Sequence, residues 1–378
     1  MIPVNEPVVS AGRELEYVSE CVRTGWVSSE GRFVREFEEG WAAYCGRRHG
    51  ISVSSGTAAL TVAVACLNLE PGDEVIMPSF TIISCALAII ANGCVPVLVD
   101  SDPQTWCMDP TRVEEKITSR TRALLLVHTY GHPVDVDPLV QLADKYGLKI
   151  IEDAAEAHGA EYLCGRNTEN PTWHRCGSFG ALTTFSFYAN KPITTGEGGM
   201  VLTDDPELDR KARSLRNLCF QTDRRFHHED LGWNFRLTNL QAALGLAQLE
   251  RINEIVARKR RIGRDYSDRL SNVAKLSLAA KAPWARNVYW MYGVVLADDS
   301  GMNNSELACK LRERGVDTRP FFLGMHEQPV FQKRGLFLGE RYPVTEKLAR
   351  QGLYLPSGLA LTDDQLDEVC AAVREVLE

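Results

Sequence analysis

No apolar run in this chain is long enough to cross a bilayer. The longest, Ile82 to Ala91, is interrupted by Ser84 and fits a buried helix. Residues 1–10 lack the cationic, apolar pattern of a secretory leader, so a cytoplasmic protein without a membrane partner is expected. Positive charge is short as well. Among 378 residues, 42 Lys and Arg stand against 50 Asp and Glu, and a net charge of −8 argues against a surface that coats nucleic acid. The 11 cysteines fall singly, with no C-x-x-C pair, and their odd number argues against a complete disulfide framework. A reducing compartment follows. Cys164, Cys176 and His174 come close together in sequence, but tight spacing and a fourth ligand are missing, so no metal is expected. Neither glycine-rich segment ends in Gly-Lys-Ser/Thr, which disfavours a Walker-type nucleotide loop. Internal repeats, low-complexity tracts and flexible linkers are absent.

What is present is the composition of a globular enzyme, 44% hydrophobic and 24% charged. The length suits one large domain and a smaller one, and the chain divides at residues 1–250 and 251–378. The N-terminal residues read as two helices. Leu15, Val18 and Val22 share a face of the first, and Phe33, Phe37, Trp41 and Tyr44 share a face of the second. Between Gly50 and Asp153, short apolar runs (Ile51 to Val53, Glu74 to Met77, Pro96 to Val99, Arg122 to Val127, Lys149 to Glu152) alternate with helical patterns. Those patterns are Thr57 to Leu67, Ile82 to Ala91, Pro110 to Ile117 and Pro138 to Tyr146. Such alternation predicts an α/β fold with a mostly parallel sheet and ligands at the strands' carboxyl ends. Tyr162 to Gly177 reads as a loop, Phe220 to Asp230 as a polar loop, and Leu237 to about Leu270 as one long helix leaving the large domain. The run Arg258-Lys259-Arg260-Arg261 on that helix reads as a solvated face. Beyond it, strand and helix alternate again in a small C-terminal domain.

Chemistry concentrates around Lys191. A β-branched and aromatic strand, Leu182 to Tyr188, leads to this single lysine, and Pro192 and the run Thr194-Thr195-Gly196-Glu197-Gly198-Gly199 follow it. Burial there disfavours the ammonium, and the neutral amine is the form that makes a Schiff base with a carbonyl. Upstream, Val53-Ser54-Ser55-Gly56-Thr57 is a strand, a tight turn and a helix start. Its unpaired backbone N–H groups suit a phosphate, although Ser-Gly-Thr before a helix is also an ordinary N-cap. The segment Ile150 to Gly159 ends an apolar strand with the acids Glu152, Asp153 and Glu156.

Phe185-Ser-Phe-Tyr-Ala-Asn-Lys191-Pro-Ile-Thr-Thr-Gly-Glu-Gly-Gly199 resembles the lysine segment of the DegT/DnrJ/EryC1/StrS family of pyridoxal-phosphate sugar aminotransferases. The resemblance runs from about residue 5 to the C-terminus, apart from roughly Asn167 to Arg175, which look inserted. It implies fold type I, pyridoxal 5′-phosphate as cofactor, and a homodimer with shared active sites. Lys191 would then carry the cofactor as a Schiff base and later move the proton. Asp153 would pair with the pyridinium nitrogen, and Glu156 would lie near the ring hydroxyl. Ser55, Gly56, Thr57 and Ser186 would hold the phosphate.

Gly232-Trp-Asn-Phe-Arg-Leu-Thr-Asn239 resembles the family motif whose asparagine reaches the partner's cofactor phosphate, which assigns Asn234 that role and puts Arg236 near the site mouth. Gly25-Trp-Val-Ser28 puts Trp26 near the nucleotide-sugar, and the segment Arg319 to Pro329 turns His326 toward the sugar. One position departs. Ile82 stands where many relatives carry an aromatic residue stacked on the pyridine ring, so an aliphatic chain would cover that face, with Phe80 pointing elsewhere. The implied reaction is transamination of a nucleotide-linked keto-sugar with glutamate as amino donor. The Phe-Ser-Phe and Thr-Thr-Gly-Glu-Gly-Gly details favour GDP-linked 4-keto-6-deoxymannose. A UDP- or dTDP-linked 3- or 4-keto sugar and a keto-cyclitol stay open as substrates. So do a sugar dehydratase on the same scaffold and a catalytically silent regulatory protein.

Overall fold

Short runs of Val, Ile, Leu and Thr, bounded by turn residues, become the strands of one buried seven-stranded sheet. The computed structural model describes residues 1–221, 224, 226–279 and 281–377. In chain order the strands are β1 (His49–Val53), β2 (Glu74–Pro78), β3 (Val95–Val99), β4 (Thr121–Val127) and β5 (Lys149–Asp153). A hairpin of β6 (Glu161–Cys164) and β7 (Thr172–Arg175) intervenes before β8 (Leu182–Ser186) and β9 (Gly199–Thr203). The sheet runs β1-β9-β8-β5-β4-β2-β3. Only β9 opposes its neighbours, pairing antiparallel with β1 and β8, so the expected mostly parallel, mixed α/β sheet is present.

The helices in the first 270 residues are α1 (Glu14–Thr24), α2 (Arg32–Cys45), α3 (Gly56–Cys66), α4 (Ser84–Ala91), α5 (Val136–Tyr146), α6 (Pro206–Arg216), α7 (Asn239–Leu249) and α8 (Ile252–Leu270). They cover both faces of the sheet. From α2, Trp41 is fully buried and meets the edges of Phe185 and Phe187 at 5.0 and 5.1 Å. That packing anchors the strand leading to Lys191. Further along come β10 (Leu276–Leu278), β11 (Ala285–Arg286), β12 (Tyr292–Leu296), β13 (Arg319–Pro320) and β14 (Gly352–Leu355). All but β11 make a second sheet, β10-β12-β14-β13, which shares a core with helices Asn304–Glu313 and Asp363–Leu377.

Several expectations are corrected. Tyr162 to Gly177 is the β6–β7 hairpin rather than a loop, and β11 pairs with β6 to extend it. Its anchor is Tyr162, fully buried, whose hydroxyl donates to Asp135 Oδ1 at 2.7 Å. Pro110 to Ile117 yields two 3₁₀ turns, Pro110–Arg112 and Glu114–Lys116, rather than one α-helix. The long helix is two, α7 and α8, separated where Glu250 accepts from the Tyr17 hydroxyl at 2.6 Å and Arg251 faces Glu14. The first helix also turns the other way. Leu15 is 78% and Val22 64% exposed, while Tyr17 and Cys21 are buried, because α1 packs on α7 through them. Lys259 is not solvated at all. It is 2% exposed and falls on the buried stripe of α8 with Ile252, Ile255, Val256, Ile262 and Tyr266. Of the polar loop over Phe220 to Asp230, Thr222, Asp223 and Arg225 lie outside the described residues.

Candidate active site

The carboxyl ends of β4, β5 and β8 and the turn after β1 open on one cavity of about 350 Å³. Each wall has a local cause. After β1 the chain turns through Ser55, whose side chain caps α3 by accepting from Ala58 N at 3.1 Å. Gly56 is required here, because a Cβ would come within 2.7 Å of Ser186 Cβ at the end of β8. The close approach leaves the first N–H groups of α3 facing the cavity beside the hydroxyls of Thr57 and Ser186. Thr57 Oγ1 also shares a 2.8 Å hydrogen bond with Ser84 Oγ at the start of α4. Hydroxyls and backbone N–H groups at a helix start suit a phosphate.

Asp153 ends β5 and is 2% exposed. Its Oδ1 accepts from Ala155 N at 3.0 Å and from the Thr184 hydroxyl at 3.4 Å. Among the described residues, its Oδ2 receives only the Cys85 thiol, at 3.4 Å. A thiol is a weak donor, so one oxygen of a buried carboxylate keeps most of its accepting capacity. Burial pushes the Asp153 carboxyl up, against the lowering effect of Ala155 N–H and Cys85. A cationic ring nitrogen in the cavity is the partner this carboxylate lacks, and the donor set therefore fits a pyridinium.

Lys191 follows β8 in a turn held from both sides. Gln248 of α7 binds Thr194 through its N–H at 3.0 Å and its carbonyl at 2.6 Å. Gly245 lets α7 approach, since a Cβ there would meet Phe37 and Thr195 at 2.8 Å. The Lys191 side chain is 9% exposed, and its Nζ lies 4.0 Å from Glu156 Oε1 and 3.5 Å from the centroid of the Trp290 ring. Glu156 in turn accepts from Tyr130 N at 2.7 Å, with Tyr130 in the left-handed region at φ 53°. Burial pushes both members of the pair toward their neutral forms. Lys191 is lowered despite the opposing attraction of Glu156 and Asp153, and Glu156 is raised despite Lys191. A lowered amine is what Schiff-base chemistry needs.

Ser55, Gly56, Thr57, Ile82, Asp153, Glu156, Ser186 and Lys191 all line this one cavity. Ile82 is 40% exposed on its wall, and Phe80 is fully buried against Phe321, Phe322 and Tyr130, pointing away. The other four do not meet there. Trp26 is 61% exposed on a separate surface groove, and its carbonyl accepts from Asn239. Asn234 is exposed, with no side-chain hydrogen bond among the described residues, and Arg236 donates to Asn217 Oδ1 at 2.7 Å. His326 is 4% exposed, packed edge-on to Tyr342, with Nε2 3.3 Å from Glu346.

Trp290, Phe322, Tyr354 and Ser84 also line the cavity, and of these only the segment of Tyr354 reads from the sequence as lying beside the site. The first three come from segments some 100 residues or more beyond Lys191, and no local pattern announces Trp290 or Phe322. Cys85 reads as a small hydrophobe and Ser84 as an interruption of an apolar run. A buried trio, His128, Glu152 and Cys176, has metal-ligand chemistry. Glu152 is already saturated by His128 Nε2, Gly177 N, Phe179 N and the Thr183 hydroxyl, which makes the trio a sheet-end brace.

The family model of the DegT/DnrJ/EryC1/StrS aminotransferases matches residues 9–374. The chain is 41% identical to the GDP-perosamine synthase of Caulobacter vibrioides, over 97% of this chain and 96% of that one. It is 36% identical to the GDP-perosamine synthase of Escherichia coli O157:H7, over 99% and 98%. Among solved structures, DesV of S. venezuelae, a complex with a ketimine intermediate, superposes with a TM-score of 0.88 at 36% identity, covering 97% of this chain and 94% of that one. The aminotransferase TlmJ of Streptoalloteichus hindustanus gives 0.90 at 31%, covering 100% and 99%. With a cavity that joins a lowered lysine, a buried aspartate and a phosphate cradle, the chain belongs to the DegT/DnrJ/EryC1/StrS aminotransferase family, whose cofactor is pyridoxal 5′-phosphate.

Proposed function

We propose that this chain transfers an amino group to C4 of GDP-4-keto-6-deoxymannose, forming GDP-perosamine, with glutamate as donor. The observation that carries the reading is the joint one: Lys191, Asp153 and the phosphate cradle share one cavity, in a chain whose full-length relatives include GDP-perosamine synthases. Pyridoxal 5′-phosphate supplies the carbonyl that takes up amines and the electron-withdrawing ring that stabilises charge at Cα. The protein's groups do the rest. Thr57, Ser55, the Gly56 N–H and Ser186 would hold its phosphate, Asp153 would face its ring nitrogen, and Ile82 would lie against the ring. Lys191 would supply the amine that takes up and returns the proton beside it. Glu156 stands 4.0 Å from that amine and favours its return to the charged form. A dehydratase is disfavoured, since those relatives carry histidine where Lys191 stands.

The test is a substrate screen. GDP-, UDP- and dTDP-linked 4-keto-6-deoxy sugars and their 3-keto analogues are incubated with glutamate, and amino sugar is measured by mass spectrometry. Selective conversion of the GDP-linked 4-keto sugar is expected. Preference for another nucleotide or ring carbon would reassign the substrate.

We further propose a cytoplasmic homodimer, divided at residues 1–250 and 251–378, in which Asn234 reaches the partner's cofactor phosphate and Arg236, Trp26 and His326 serve the sugar. The exposed Asn234 amide, with no side-chain hydrogen bond among the described residues, supports the first point. Co-expression reads it out. Lys191→Ala and Asn234→Ala chains each have little activity alone, and in a mixed dimer with trans sharing both defects fall in one site while the other is intact. Recovery of activity on mixing is expected. No recovery, with mixed dimers shown to form, would sink the shared site.

A further inference from the structure

Lys259 is a buried cation that the proposed reaction does not use. No carboxylate pairs with it among the described residues. Its Nζ donates to the carbonyls of Trp290, at 2.8 Å, and Ser357. Burial, with Arg258 adding to it, pushes its amine down to about 7. The ammonium has three N–H groups and the amine two, so either form can hold both carbonyls. Burying such a group is costly, and a methionine would fill the same volume without the cost. The group is therefore expected to hold something in place.

What it holds is the turn that carries Trp290. Tyr289 lies in the left-handed region at φ 52°, a conformation that persists only where the surroundings over-determine it. Gly263, one turn after Lys259 on α8, leaves room for the Tyr289 ring, since a Cβ there would come within 2.4 Å of it. On the far side, Tyr292 N donates to Ser357 Oγ at 2.9 Å. Beyond the clamp, the Trp290 indole Nε1 donates to Asn190 O at 2.8 Å, and the ring face lies over Lys191 Nζ.

We propose that Lys259 is a positioning residue for Lys191: by holding the Trp290 carbonyl it keeps the indole over the Lys191 amine and keeps water off that amine. This rests on Lys191 being the reactive amine. Two influences of the ring oppose one another. Its face attracts the ammonium, while its bulk excludes water and favours the neutral amine. Burial leads among the causes acting on Lys191, so loss of the ring raises the amine's proton affinity.

The experiment is competitive labelling of the cofactor-free protein with trace acetic anhydride across a pH series, with the Lys191 peptide quantified by mass spectrometry. It reads the lysine directly, whatever the sugar substrate, so it fails or succeeds separately from the substrate screen. Lys259→Met and Trp290→Leu are each expected to raise the proton affinity of Lys191 by about tenfold. A Lys259→Met profile that superposes on the unaltered protein overturns the proposal, whether or not Trp290→Leu shifts. If Lys259→Met does not fold, Lys259→Gln replaces it, with two N–H donors on a side chain one bond shorter. A smaller shift in the same direction is then expected, and no shift overturns the proposal.

Discussion

Lys191→Ala is expected to reduce turnover by about 10⁴-fold or more while the protein still binds pyridoxal 5′-phosphate. The phosphate cradle at Ser55, Gly56, Thr57 and Ser186 and the Asp153 carboxylate are untouched by the change. What goes is the amine proposed to join the cofactor and return the proton. Loss of the amine leaves Glu156 as a buried carboxyl without the cation 4.0 Å away, so the melting temperature is expected to fall by a few degrees. Keto-acid release from glutamate measures the rate, and equilibrium dialysis measures cofactor binding. Borohydride should fix the cofactor covalently to the unaltered protein and not to the variant. Turnover at the unaltered rate would remove Lys191 from the mechanism.

Asp153→Asn should separate rate from folding. The side-chain oxygen of asparagine can still accept from Ala155 N, so the β5 end keeps its local hydrogen bond. What an amide cannot do is stay negative opposite a protonated ring nitrogen. That charge matters most where electron density flows into the ring, so the loss falls on the transition state. Removing one such electrostatic partner costs about 3–4 kcal/mol, or about 10²–10³-fold in kcat, with KM for the sugar little changed. Thermal melting within a few degrees of the unaltered protein, together with that kcat loss, is the expected pair of results. Unchanged kcat with cofactor bound would mean that another acid holds the ring.

Much of the site could be read from the chain because its chemistry is built on short contiguous segments. A strand followed by a lysine and glycines, a Ser-Gly-Thr turn before a helix, and acids closing an apolar strand each carry their geometry with them. Backbone direction at a strand end is a local property, and β1, β5 and β8 deliver Gly56, Asp153 and Lys191 to one edge because parallel strands share their carboxyl ends.

Other residues depend on who packs against whom. Trp290 stands 99 positions after Lys191, yet its ring touches the amine. Cys85 looks like any apolar helix residue until α4 brings its thiol to Asp153. Lys259 obeyed the helical period of its buried neighbours, but its charge made the solvated reading more natural. Hydrogen bonds to the carbonyls of Trp290 and Ser357 offset the cost of its burial. On α1, apolar residues mark two faces, Leu15 with Val22 and Tyr17 with Cys21, and periodicity cannot choose between them. Contact with α7 chose the second. The sequence by itself thus determined the α/β alternation, the turn that carries Lys191, the Ser-Gly-Thr turn before α3 and the family, all properties of local backbone geometry and residue chemistry. The tertiary structure alone decided which face is buried, which charge is clamped and which ring lies over the lysine, because those depend on contacts between segments far apart in the chain.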